Sequence, residues 1–150
     1  MKRPYISGPM SNIEHHNFPA FFNAENALED RRYFPLHPAR RTAKCTWETA
    51  VKDISEHPES WESCIRRDIQ QVMDSDSIVL LSGWNTSRGA CLELVLSVSI
   101  GNPVLVWFPG REPVFIEDPA LHYDMAIDHL KTRGIISPID MYNVARPALS

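Results

Sequence analysis

The sequence predicts an α/β fold: a single-domain, doubly wound, Rossmann-like, mainly parallel sheet with helices on both faces. Three observations lead there. Short apolar, β-branched runs at residues 5–7, 78–81 and 103–108 alternate with segments whose apolar residues recur at helical spacing. Alternation of this kind gives a parallel sheet covered on both sides. The chain has 150 residues, 43% of them hydrophobic and 23% charged, which suits one globular domain with its own core.

The elements follow in order. Tyr5-Ile6-Ser7 is a short first strand closed by the turn pair Gly8-Pro9. Neither GxGxxG nor the P-loop pattern follows it, so this corner is not a phosphate-binding fingerprint. Phe18, Phe21, Phe22, Ala24, Ala27 and Leu28 form a helical stripe over residues 17–33, with Pro19 tolerated in the first turn. His15 and His16 ahead of it read as a solvent-facing loop or lid rather than as metal ligands. Residues 33–38 read as a second strand that Pro35 and Pro38 confine to a sheet edge. Residues 39–58 are polar apart from Trp47 and read as a flap over a site, with a helical turn near residues 47–51.

A clearer helix starts near Pro58 and carries Trp61, Ile65, Ile69, Val72 and Met73 towards the sheet, with Arg66, Arg67 and Asp68 at its border. Asp74 and Asp76 read as turn and capping residues before the strand at residues 78–81. A second helix, apolar on almost every side, runs from Ser87 to Ile100 and stops at Gly101-Asn102. A buried strand at residues 103–108, a proline-rich loop at 109–119 and a last helix at 121–133 complete the core. The tail at residues 135–150 is mixed in character and suits packing on a neighbouring subunit.

Composition narrows the function. A net charge of −4 gives no footprint for a nucleic-acid polymer. No apolar run approaches membrane-spanning length and no secretory signal is visible, so a soluble cytoplasmic protein is expected. Three widely spaced cysteines, Cys45, Cys64 and Cys91, fit a reducing compartment and give no structural zinc pattern. Cys91 lies in an apolar helix and reads as a small buried hydrophobe rather than a nucleophile. No metal and no cofactor is implied.

Glu93 is the informative residue. It is the only acidic or basic side chain between Arg88 and Gly101, and a buried carboxylate costs free energy unless it is paired or hydrogen-bonded. With Ser87 as N-cap, Glu93 falls in the second turn, near the positive end of the helix dipole. Gly89, four residues earlier, lies on the same face and leaves bare backbone in front of the carboxylate. Two readings follow: a ligand lying across the helix start in contact with Glu93, or a structural ion pair with Gly89 serving close helix packing. In parallel sheets ligands bind beyond the carboxyl ends of the strands, where Tyr5, Ser7, Gly8, Gly83, Ser87 and Glu93 all fall.

Taken together, Tyr5-Ile6-Ser7-Gly8-Pro9, Arg67-Asp68 and Ser87-x-Gly89-x-x-x-Glu93 resemble the nucleoside 2-deoxyribosyltransferase superfamily, which includes 2′-deoxynucleoside 5′-monophosphate N-glycosidases. The likeness covers roughly residues 4–108 and is nearest to small, often phage-borne, members of uncharacterised function. It implies Glu93 as the nucleophile on the anomeric carbon, Asp68 as an assisting carboxylate and Tyr5 as the residue orienting nucleophile or sugar. It also implies a sugar or phosphate pocket lined by Gly8, Ser87 and Gly89; Ser7, Pro9 and Gly83 join them as candidate substrate-binding residues, and Arg88 reads either as a cation for a 5′-phosphate or as the partner of a surface acid. The chemistry is coherent, because an oxocarbenium-like state is stabilised and then captured by an adjacent carboxylate while a second carboxyl protonates the leaving base. The resemblance further implies a small-molecule nucleoside or nucleotide as partner and a homo-oligomer. One departure stands out: Pro9-Met10-Ser11 occupies the place where the monophosphate enzymes carry hydroxyl and basic residues. The rival expectation is a binding or sequestering protein for a nucleotide-derived ligand, without turnover.

Overall fold

The computed structural model describes residues 2–40 and 42–134. The tail at 135–150, with its expected packing on a neighbour, lies outside the described residues.

Three short strands, β1 (Pro4–Ser7), β2 (Ser77–Leu80) and β3 (Val104–Val106), run parallel in that spatial order, and β4 (Val114–Ile116) lies antiparallel beside β3. On the free edge of β1, Leu36 forms a one-residue parallel bridge to Tyr5, with Ile6 donating to the Leu36 carbonyl at 2.8 Å and Leu36 donating to that of Pro4 at 2.9 Å. This bridge is what remains of the expected second strand. Phe34 also donates to the Lys2 carbonyl at 2.7 Å, but Pro35 and Pro38 have no N–H to donate, so the contacts do not extend into a continuous strand.

Among the described residues five α-helices cover the sheet: α1 (Phe18–Asp30), α2 (Trp47–Glu56), α3 (Trp61–Asp74), α4 (Arg88–Ser99) and α5 (Ala120–Thr132). Because strand side chains alternate, each strand feeds two cores. Tyr5, Ile78, Leu80 and Val104 pack with Val72 of α3, with Ala90, Leu94 and Val95 of α4, and with Ala126 and Leu130 of α5. Ile6, Val79, Leu81 and Leu105 pack on the other face with Phe18, Phe21, Phe22 and Leu28 of α1 and Ala50 of α2. The predicted α/β sheet with helices on both faces is therefore the observed one.

Two segments differ from expectation. Residues 39–58 contain a ten-residue helix, α2, whose start is fixed by a reciprocal Thr46–Thr49 capping box and whose apolar side packs with α1 in the second core. The loop at 109–119 hides β4, a three-residue strand between Pro113 and Pro119, too short for its alternation to show in the sequence. No helix among the described residues is long and apolar enough to cross a membrane.

The order Leu36–β1–β2–β3 positions the site. The chain leaves β1 through α1 on one face, returns at Leu36, and reaches β2 through α3 on the opposite face. The winding thus reverses between β1 and β2, and the crevice beyond their carboxyl ends is the natural ligand position. Gly8 sits in that crevice, where an added Cβ would come within 2.9 Å of the Leu81 Cβ, so only glycine fits there.

Candidate active site

Glu93 projects from the second turn of α4 back under the end of β1. Ser87 caps the helix as expected, its hydroxyl accepting from the Ala90 N–H at 3.2 Å. Glu93 is only 4% exposed, yet both of its oxygens are engaged: the Tyr5 hydroxyl donates to Oε2 at 2.6 Å and the Ser7 hydroxyl donates to Oε1 at 2.7 Å. Tyr5 and Ser7 sit at i and i+2 on β1 and point to the same face, which explains how one short strand grips one carboxyl from both sides. A carboxylate oxygen has two lone pairs, so each keeps acceptor or nucleophilic capacity.

Asp68 approaches from α3 and is likewise 4% exposed. Its neighbour Arg67 reaches it at 3.5 Å and also pairs with Glu59. The two acids share a cavity lined by Gly8, Ser11, Asp68, Ser87, Gly89 and Glu93 on its polar side and by Met10, Pro38, Trp61, Cys64 and Ile65 on its apolar side. Burial pushes the Glu93 carboxyl up to about 8; the charge of Asp68 pushes the same way, and the Tyr5 and Ser7 hydroxyls pull it back. Burial, together with the charges of Glu93 and Asp68, likewise raises the Tyr5 phenol well above its ordinary range, which keeps it a hydroxyl donor. Two carboxyls thus share one cavity, and burial favours the neutral form of Glu93.

A Cβ added at Gly89 would meet nothing within 4 Å, so helix packing does not require glycine. Gly89 and Glu93 both line the cavity.

Of the residues singled out in the sequence, Tyr5, Ser7, Gly8, Asp68, Ser87, Gly89 and Glu93 come together around this cavity. Pro9, Gly83 and Arg88 do not line it. Gly83 holds a left-handed φ of 83° at the turn after β2, and an added Cβ would meet Pro9 Cγ at 3.2 Å, so these two pack on each other behind the crevice. The Arg88 guanidinium lies over the Trp61 ring, 3.7 Å from its centroid. None of residues 39–58 is among the cavity-lining residues. Burial pushes the Cys91 thiol up to about 12, which removes it as a nucleophile at neutral pH. Among the described residues no three His, Cys, Asp or Glu side chains converge as metal ligands do.

Sequence reasoning passed over Trp61, Cys64 and Ile65. The signal was present: with Asp68 they stand at i, i+3, i+4 and i+7, one stripe of α3. Trp61 and Ile65 were instead assigned to the sheet-facing stripe of the same helix.

Fold and site together define a Rossmann-like α/β protein with a buried carboxylate pair at its strand ends. Residues 2–106 match the family described as Domain of unknown function (DUF4406), and since this is more than half of the chain, the protein belongs to that family. The matched span carries β1 through β3 and every residue of the cavity. No functionally curated protein matches the chain.

Proposed function

We propose that the protein cleaves the N-glycosidic bond of a deoxynucleoside, or of its 5′-monophosphate, through a glycosyl-enzyme on Glu93, as a hydrolase or a deoxyribosyltransferase. The observation that carries this reading is the buried Glu93, gripped by Tyr5 and Ser7, in one cavity with Asp68.

At rest burial favours a proton on Glu93. With substrate bound, that proton resides on Asp68 and Glu93 is the anion. A Glu93 oxygen forms a bond to C1′ as the C1′–N bond breaks; the bonding electrons go to the base nitrogen, which takes the Asp68 proton. Water, or the nitrogen of a second base, then attacks C1′ and gives its proton to Asp68, and the Glu93 ester bond breaks to regenerate the carboxylate. Tyr5 and Ser7 fix the carboxyl plane and stabilise its anionic form. The sequence resemblance supports the same roles for Tyr5, Asp68 and Glu93, and it supports a homo-oligomer in which a neighbouring subunit completes the site. Sedimentation of a monomer at micromolar concentration would remove that last element.

One observation favours a second reading. Burial raises the Glu93 carboxyl to about 8 and so favours its neutral form at neutral pH, which suits a binding protein holding a neutral ligand. Incubation with a panel of deoxynucleosides and monophosphates, with free base quantified, separates the two. Base release that disappears in Glu93→Ala supports the enzyme. Tight, ligand-specific thermal stabilisation with no release from any compound supports the binder.

A further inference from the structure

The N-glycosidase reading leaves open what holds the leaving group, and α3 presents a candidate. Trp61, Cys64, Ile65 and Asp68 form one stripe of α3 that lines the cavity together with Glu93 of α4. In a displacement at C1′ the nucleophile and the leaving group take opposite sides of the reacting carbon. With Glu93 on the α4 wall, the leaving base therefore lies towards α3, where Asp68 can protonate it.

Trp61 is the residue that packing does not explain. It is 41% exposed and belongs to neither hydrophobic core, although an indole is a large apolar group to leave at a surface. It stands at the first position of α3, behind the Ser60 cap, seven residues before Asp68. At ~1.5 Å of rise per residue this is about 10 Å along the helix axis. Cys64 and Ile65 lie between them on the same stripe, so an indole, an apolar surface and a carboxyl line one wall of the cavity. Arg88, at the start of α4, caps the ring at 3.7 Å and does not itself line the cavity. Such a contact restricts the indole rotamer, so less ordering remains to be done when a ligand arrives.

We propose that this stripe of α3 is the leaving-group wall: Trp61 is the specificity-determining residue that stacks on a planar base, and Arg88 is the positioning residue that fixes the Trp61 ring. The proposal rests on the reading given under Proposed function, and it names the base rather than the sugar as what α3 recognises.

The test separates base from sugar. In the non-turnover Glu93→Gln protein, calorimetry measures binding of a deoxynucleoside 5′-monophosphate and of base-free 2-deoxyribose 5-phosphate. Trp61→Ala is expected to weaken the nucleotide about 10-fold or more, the usual worth of one aromatic–base stack, while the sugar phosphate changes less than about 2-fold. Trp61→Phe, which keeps a stacking surface, recovers most of the loss. Arg88→Ala weakens the nucleotide alone and shifts indole emission, and Arg88→Lys restores part of both. Equal losses for the two ligands, an unchanged nucleotide affinity in Trp61→Ala, or no nucleotide binding at all would each overturn the wall. A selective loss in a protein that releases no base from any substrate upholds the wall and sinks the catalytic reading alone.

Discussion

At the scale of single residues, the site turns on how Glu93 is held in its proton equilibrium. Burial and Asp68 raise its carboxyl to about 8, so between the ordinary carboxylate range and that value the folded protein binds a proton that the unfolded chain releases. The resulting stability is fully present below the ordinary carboxylate range and is lost as pH rises through about 8. Glu93→Gln cannot lose it. Thermal scans are therefore expected to show variant and wild type similar near pH 5, with the variant ahead at pH 9 by a few degrees, at about 2–4 °C per kcal/mol for a chain of this size. A constant difference across that range would contradict the shift. Tyr5→Phe removes one of the two hydroxyls that favour the carboxylate, so the activity-against-pH profile moves to higher pH and the rate near neutrality falls ~10-fold or more. Gly89→Ala separates folding from function. The new Cβ meets no protein atom and replaces a first-turn glycine, which favours the fold by ~0.4–1 kcal/mol through the unfolded chain, yet it adds a methyl to the lining of the cavity that holds Glu93. Higher thermal stability together with loss of ligand binding is the expected pair of results, and unchanged binding would leave Gly89 without a role.

At the scale of elements, the site is where two strand ends and two helices meet, and each junction has a physical cause. β1 supplies both hydroxyls because Tyr5 and Ser7 share a face, and Gly8 lets its end close on Leu81. Gly8→Ala places a Cβ about 2.9 Å from the Leu81 Cβ. Overpacking of that kind costs ~1–3 kcal/mol, to be read from denaturant unfolding, with reduced activity because the β1 end moves. This junction was legible in the sequence, since a strand, a glycine turn and a capped helix carrying a lone acid all have local signatures. The edge pairing of Leu36, the strand β4 and the full length of α2 were not. The first two are short and flanked by prolines, and their pairing comes from a neighbour distant in sequence rather than from their own alternation. The helix α2 starts with Thr46 and Thr49 capping each other, a pairing easily passed over among polar residues. On α3 the inner stripe divides, with Val72 in the core and Trp61, Cys64, Ile65 and Asp68 at the cavity. Periodicity reveals a face but not what it faces.

At the scale of the whole molecule, one buried cluster ties the edge segment to the helix layer and was invisible in the sequence. Glu25 of α1 accepts from His37 and Arg40, and Arg40 also donates to the carbonyls of Thr42 and Ala43, each at 3.0 Å. Burial pushes the Glu25 carboxyl up, but the hydrogen bonds from His37 and Arg40 outweigh it and hold the group at about 2. Its contribution to stability is present above the ordinary carboxylate range and is lost as pH falls through about 2. Glu25→Ala strands His37 and is expected to cost ~3–5 kcal/mol by denaturant unfolding. Partners 12 and 15 residues from Glu25 give no pattern from which such a contact could be read; only the return of the chain beside β1 brings Glu25, His37 and Arg40 together. The same return places the winding reversal between β1 and β2, and with it the carboxylate pair. The most direct test of what that pair does is intact-mass and peptide mass spectrometry of the protein quenched during incubation with a slow 2′-deoxynucleoside or monophosphate substrate. The expected result is an increment of one deoxyribosyl unit, or its phosphate, on the peptide carrying Glu93 and absent from Glu93→Gln. Full base release by Glu93→Gln, or an increment that maps elsewhere, would contradict Glu93 as the nucleophile.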